Sequence, residues 1–251
     1  MMPTVQDVYE LVNDMAPFDT QEEWDNAGLL AGSKNAEVTK VLCALDLTEG
    51  AIEEARFHGC ELIVTHHPVL FHARSNITED DPEGKVLCAL IRARIALIAA
   101  HTNFDVAPGG VNDCLAQAMM LRDVSTLDGG LRIGTFSGGL QLLMNQAKIA
   151  LGGIDRVYGK SFESELRVAV CGGAGSGIWK TASDAGASVY VTGEVKHSDA
   201  LAAVSAGLVL LECGHDRTER ISVKALKSGL QRRLDALQYK ITVYESTYEP
   251  Y

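Results

Sequence analysis

Positive charge is scarce in this chain: 22 lysines and arginines stand against 33 aspartates and glutamates, a formal charge of −11. That balance disfavours a protein held to nucleic acid by phosphate neutralisation, including a ring threaded on it. Long apolar runs are missing as well. No stretch approaches the roughly 18 uninterrupted apolar residues of a membrane span, and Met1-Met-Pro-Thr-Val-Gln-Asp7 lacks a basic-then-apolar targeting pattern. A cytoplasmic protein without a membrane partner is therefore expected. Cysteine is present but unpatterned: Cys43, Cys60, Cys88, Cys114, Cys171 and Cys213 show no C-x-x-C spacing and mostly fall in apolar segments, so reduced core thiols are expected. There is no G-x-S-x-G nucleophile elbow. Low-complexity tracts and an obvious linker are also absent.

What is present is a globular composition, with 47% hydrophobic and 22% charged residues over 251 positions, enough for one large domain or two of ordinary size. Strands and helices are expected in alternation. Helix-spaced apolar residues run from Val5 to Met15; strands are expected at 41–46, 61–65 and 95–100, with helices from Thr48 to about His58, over 83–93 and from near Asn112. Turn residues at 124–130 interrupt the pattern. A second unit follows, with strands near 132–140, 166–171, 187–192 and 208–213, and helices at 141–151, 177–185 and 197–206. A long helix over 217–237 and a strand over 239–245 close the chain.

Three motifs follow apolar strand-like runs: His66-His67, His101-Thr-Asn-Phe-Asp105 and His215-Asp-Arg-Thr-Glu219, and they contain four of the seven histidines. Ligands in open α/β sheets bind at the carboxyl ends of strands, so three such ends can share one crevice. Consecutive residues of a strand face opposite ways, but Pro68 should end the strand, freeing His66 and His67 to splay toward two neighbouring ions. With Asp105, His215 and Glu219, the set suits a pair of divalent metals about 3.5–4 Å apart. Plainer readings exist. Asp216 and Glu219 fit a capping box, and His101 and Asp105 can simply stabilise the turn before Pro108-Gly-Gly110. Because His215 and Glu219 must return to meet His66 and Asp105, the expected domains are 1–125 with 214–251, and 126–213.

Weaker signals lie elsewhere. Cys171-Gly-Gly-Ala-Gly-Ser-Gly177 fits neither a Walker loop nor a Rossmann fingerprint; it is an anion nest or a tight turn. Thr192-Gly-Glu-Val-Lys-His197 groups an acid, a base and a histidine, or is only a polar turn. Asp25 and Asn26 are partners that orient metal ligands, or turn formers.

Taken in order from Trp24-Asp-Asn-Ala-Gly-Leu29 through Thr65-His-His-Pro68, His101 to Asp105 with Ala107 to Asp113, Cys171 to Gly175, Thr192 to His197 and Gly214 to Glu219, these motifs resemble those of the Nif-three-like family. Its members are often named as homologues of GTP cyclohydrolase I type 2. The resemblance implies two α/β domains (the Nif-three-like fold) with a dinuclear metal site in the interdomain cleft, and in several members a toroidal homohexamer. It implies the metal ligands His66, His67, Asp105, His215 and Glu219, with Glu219 able to bridge both ions and His101 close by. Glu194 departs from the pattern, since many relatives have aspartate there.

The expected function is a hydrolase dependent on two divalent ions, acting on a nucleotide-like or heterocyclic small molecule in the manner of a GTP cyclohydrolase. His101 and His197 would move protons, while Gly172, Gly173, Lys196 and Glu194 would contact substrate. The alternative is a non-catalytic metal carrier or a regulatory or assembly protein. Mixed imidazole and carboxylate ligands suit zinc, iron, manganese, cobalt or nickel.

Overall fold

The computed structural model describes residues 2–161 and 163–248. Two compact units emerge, one formed by Met1–Ala107 with Val223–Tyr251 and the other by Pro108–Ser222.

In the first unit, helix α1 (Val5–Met15) starts at a reciprocal capping box: the Thr4 amide donates to the Asp7 carboxylate at 2.7 Å and the Asp7 amide to the Thr4 hydroxyl at 3.4 Å. The sheet of this unit contains β1 (Gly28–Ala31), β2 (Lys40–Ala44), β3 (Leu62–Thr65), β4 (Ala96–Ala99) and β11 (Thr242–Glu245), in the order β1-β4-β3-β2-β11. All neighbours run parallel except β1 against β4. Helices α2 (Glu49–His58) and α3 (Pro82–Ala93) make the crossovers. Each begins at a side-chain cap, where Thr48 accepts from the Ala51 amide and Asp81 from that of Gly84. Ala51, Ile52 and Ala55 of α2 and Leu90 of α3 pack with Leu42, Ile63 and Leu97 of the strands. Every residue of β3 and β4 is buried, which explains why they read as continuous apolar runs. Helix α4 (Thr102–Val106) follows β4 directly, and α10 (Val223–Ala236) leads into β11.

The second unit holds β5 (Arg122–Thr126), β6 (Arg132–Ser137), β7 (Arg156–Tyr158), β8 (Glu165–Cys171), β9 (Val189–Thr192) and β10 (Val209–Glu212), in the order β5-β6-β8-β9-β10-β7. Strands β8, β9 and β10 are parallel, and the outer pairings are antiparallel. Side chains alternate between two cores. Val168, Val191 and Leu211 meet α5 (Val111–Ala118) and α6 (Leu140–Leu151), whereas Ala169, Tyr190 and Leu210 meet α7 (Trp179–Asp184) and α8 (His197–Ser205). Helix α9 (His215–Arg220) follows β10.

Three expectations change. The chain divides at Ala107/Pro108 and Ser222/Val223, not at 125/126 and 213/214. Leu115 of α5 lies in the core of the second sheet and β5 pairs with β6, so 108–125 joins that unit, together with α9. The long helix expected over 217–237 is two helices, α9 and α10. Ser222 breaks it by turning its amide (2.8 Å) and hydroxyl (2.7 Å) onto the Glu219 carbonyl. Finally, β1, β5 and β7 were not expected as strands; they are short antiparallel edges whose pairing the sheet decides. None of the six cysteines, all among the described residues, is in a disulfide, and burial pushes Cys60 up to about 11 and Cys213 up to about 12, which keeps both unreactive.

Candidate metal centre

At the carboxyl end of β3 the chain turns as the His66 amide donates to the Ala44 and Leu45 carbonyls and the His67 amide to that of Leu45. This places both imidazoles at the strand ends of the first sheet, where His101 also emerges from β4. In each of the three rings Nδ1 is held from behind. His66 Nδ1 lies 2.8 Å from the Ala100 carbonyl, His67 Nδ1 2.7 Å from Asp46 Oδ1, and His101 Nδ1 2.7 Å from Asp25 Oδ1. A carbonyl or carboxylate oxygen only accepts, so Nδ1 carries a proton in each ring, and in the neutral tautomer the lone pair that can bind a metal is on Nε2. The three rings sit 4.9–5.5 Å apart by centroid and offer nitrogen ligand atoms all within 4.8 Å of one another. Anchoring of the far nitrogen is what metal-binding histidines ordinarily show.

Asp105 reaches the group through helix geometry. His101 caps α4, the amides of Phe104 and Asp105 donate to its carbonyl at 2.8 and 3.0 Å, and positions four apart share one face. The segment before Pro108 is thus one helical turn. It sets Asp105 Oδ1 3.5 Å from His66 Nε2.

The second unit repeats the device. His215 opens α9, and Glu219, four residues on, puts Oε2 3.2 Å from His215 Nε2; His215 Nδ1 faces Glu194 Oε1, also at 3.2 Å. Glu219 does not cap its helix: Gly214 is the N-cap, with no side-chain cap, and Glu219 is buried on the fifth residue of α9. The glycine loop after β8 frames this pair. A Cβ on Gly173, whose φ is +60°, would stand 2.1 Å from Glu219 Oε1 and 3.1 Å from His215 Nε2. Its amides are spent inside the protein, Gly172 on Asn112 Oδ1 at 2.9 Å and Gly173 on Thr218 Oγ1 at 3.0 Å, so what these two glycines supply is room beside the carboxylate.

The donor set fits divalent metal. A ring nitrogen 3.2–3.5 Å from a carboxylate oxygen is the arrangement either of an ion pair with a protonated imidazole or of two ligand atoms facing one cation. Two donors each about 2 Å from one ion are themselves about 3–3.5 Å apart.

Asp25 is the best-defined anchor. Its side chain is fully covered, and besides His101 it receives the Thr102 amide at 3.1 Å and the Thr102 hydroxyl. Burial works to raise this carboxyl, but the hydrogen bonds from His101, Thr102 and the Asn26 amide outweigh it and hold it at about 2. Burial lowers His101 despite Asp25, and the neighbouring His66 and His67 act the same way, favouring the neutral imidazole that a metal needs. Asn26 turns instead to the Leu70 carbonyl at 2.6 Å. Lys196 and His197 are exposed where α8 begins, and among the described residues His197 belongs to no cluster of ligand atoms. Sequence reasoning overlooked Asp46, Asn112 and Thr218. Only Asp46 carried a signal, as a carboxylate ending an apolar strand.

These features define a two-unit α/β protein with imidazole and carboxylate groups that could bind metal at the ends of parallel strands. The chain belongs to the Duf34/NIF3 (NGG1p interacting factor 3) family, whose model matches residues 3–250. It is 32% identical over 243 residues to a Clostridium perfringens protein named GTP cyclohydrolase 1 type 2 homolog, covering 92% of this chain and 93% of the relative. It is 31% identical over 221 residues to a Helicobacter pylori protein named GTP cyclohydrolase 1 type 2, covering 87% and 88%. Among solved structures, the Bacillus cereus protein related to NIF3 superposes with a TM-score of 0.93 at 25% identity, over 100% of this chain and 98% of the other. Among the described residues no helix is long and apolar enough to cross a membrane.

Proposed function

We propose that the protein is a hydrolase that uses two divalent metal ions on a nucleotide-like heterocycle, in the manner of a GTP cyclohydrolase. The observation that carries this reading is the repeated construction of the imidazoles: four rings, each with Nδ1 facing an oxygen, two of them four residues ahead of a carboxylate on a short helix. His66, His67, Asp105, His215 and Glu219 would be the metal ligands, and His101, whose ring clusters with those of His66 and His67, would be a further one. When bound, such ions acidify water and polarise the electrophile. Asp25, Asp46 and Glu194 keep the rings in one tautomer and orientation. Exposed His197 exchanges a proton with the substrate, and Lys196 beside it meets the substrate's negative charge. The names of the C. perfringens and H. pylori relatives support GTP as the first substrate to try. A homohexamer in the cytoplasm belongs to the same reading.

The test is turnover of GTP by metal-loaded protein, before and after chelation. Hydrolysis that disappears with the metal and returns on reloading is expected. Reversible transfer of metal to an acceptor protein without turnover would establish the carrier reading instead.

A further inference from the structure

Next to His101 stands a pair of aromatic rings that the metal reading leaves unused. Trp24 is 58% exposed and Phe71 39% exposed, although both are large and apolar. Their centroids are 5.6 Å apart at 59°, and each meets the edge of the His101 ring with centroids 6.1 Å away, at 76° and 79°. Scattered apolar side chains on a surface need no explanation, but these two touch each other and a candidate ligand.

The wall is also fixed in place. Trp24 precedes Asp25, whose buried carboxylate holds both His101 and Thr102, and the Asn26 side chain ties this loop to the Leu70 carbonyl beside Phe71. The nearby cation on the second loop is committed elsewhere, with Arg74 bridging Asp81 and Glu83. An open pair of aromatic rings offers a stacking face to a planar group. Its tilt excludes a parallel sandwich, so a planar ring would lie on Trp24 with Phe71 against its edge.

We propose that Trp24 and Phe71 form the stacking subsite for a purine-sized planar heterocycle, placing the ring of the substrate beside His101. This rests on the function proposed above and assigns the part of the site that recognises the ring.

The experiment is calorimetric titration of the metal-loaded protein with guanosine, with ribose 5-phosphate as the ringless control and metal content measured on each sample. Trp24→Ala should weaken guanosine about ten- to hundredfold, Trp24→Phe should restore part of the loss, and ribose 5-phosphate should be indifferent to both. Guanosine binding that depends on Trp24 in a protein that takes up no metal would sink the hydrolase reading and keep the stacking subsite. Full metal content with guanosine bound equally by parent and Trp24→Ala, or not bound by the parent, would overturn it. So would a change of oligomeric state in Trp24→Ala by sedimentation, which would make the wall a contact between copies.

Discussion

Asp25 touches no candidate metal position, yet it is the residue whose chemistry is most constrained. Replacing a carboxylate that orients a metal-binding histidine commonly lowers metal affinity about 10- to 100-fold, so Asp25→Ala should do so in a competitive chelator titration. Its ionisation carries a second prediction. The folded carboxyl at about 2 lies below the roughly 3.9 of an unfolded aspartate, so its stabilisation is present above roughly pH 4 and is lost as pH falls toward 2. The stability difference between metal-free parent and Asp25→Asn, measured by denaturant unfolding, should therefore narrow through that window. Glu219→Gln separates binding from folding more sharply. Since Glu219 caps nothing, the amide should cost metal while leaving the metal-free melting temperature close to the parent's; a lower melting temperature with metal retained would make Glu219 a structural residue.

Short helices started by a strand end are the elements that matter. His101 is the N-cap of α4 and His215 the first residue of α9, and each is followed by a carboxylate four residues on, so each segment would deliver two ligands from one stretch of backbone. The glycine loop opposite α9 is equally specific. Gly173→Ala would push a methyl into Glu219 at a positive φ, and should lower both metal affinity and stability. Gly109→Ala is the control: its φ is +76° but nothing lies within 4 Å, so only the left-handed backbone cost of about 1 kcal/mol is expected, with metal binding intact. Equal metal loss in both variants would mean that the backbone of these loops, and not the space beside Glu219, matters.

For the whole molecule the decisive quantity is stoichiometry. Two divalent ions per chain are expected at saturation by elemental analysis, and stripping them should lower the melting temperature while the far-ultraviolet circular dichroism stays that of an α/β protein. Saturation at one equivalent would end the dinuclear reading. The cores explain why the fold should outlast the metal: the clusters around Leu42 and Ile63, around Val168 and Leu211, and around Tyr190 and Leu210 consist of apolar side chains apart from the metal groups.

The sequence by itself determined the α/β class, the buried parallel strands and most helices, because continuous apolar runs, 3.6-residue periodicity and caps such as Thr48 and Asp81 act over a few neighbouring residues. It also located the histidine motifs, since each one ends such a run. Tertiary structure alone decided what holds their far nitrogens, because the anchors Ala100, Asp46 and Asp25 lie 34, 21 and 76 residues from the rings they fix. It decided the edge strands β1, β5 and β7, whose residues carry no strong pattern and pair only because a sheet edge is there to receive them. It also decided the unit boundaries and the break between α9 and α10. An apolar periodicity that continues across Ser222 looks like one helix until that residue's amide and hydroxyl both turn back to the Glu219 carbonyl.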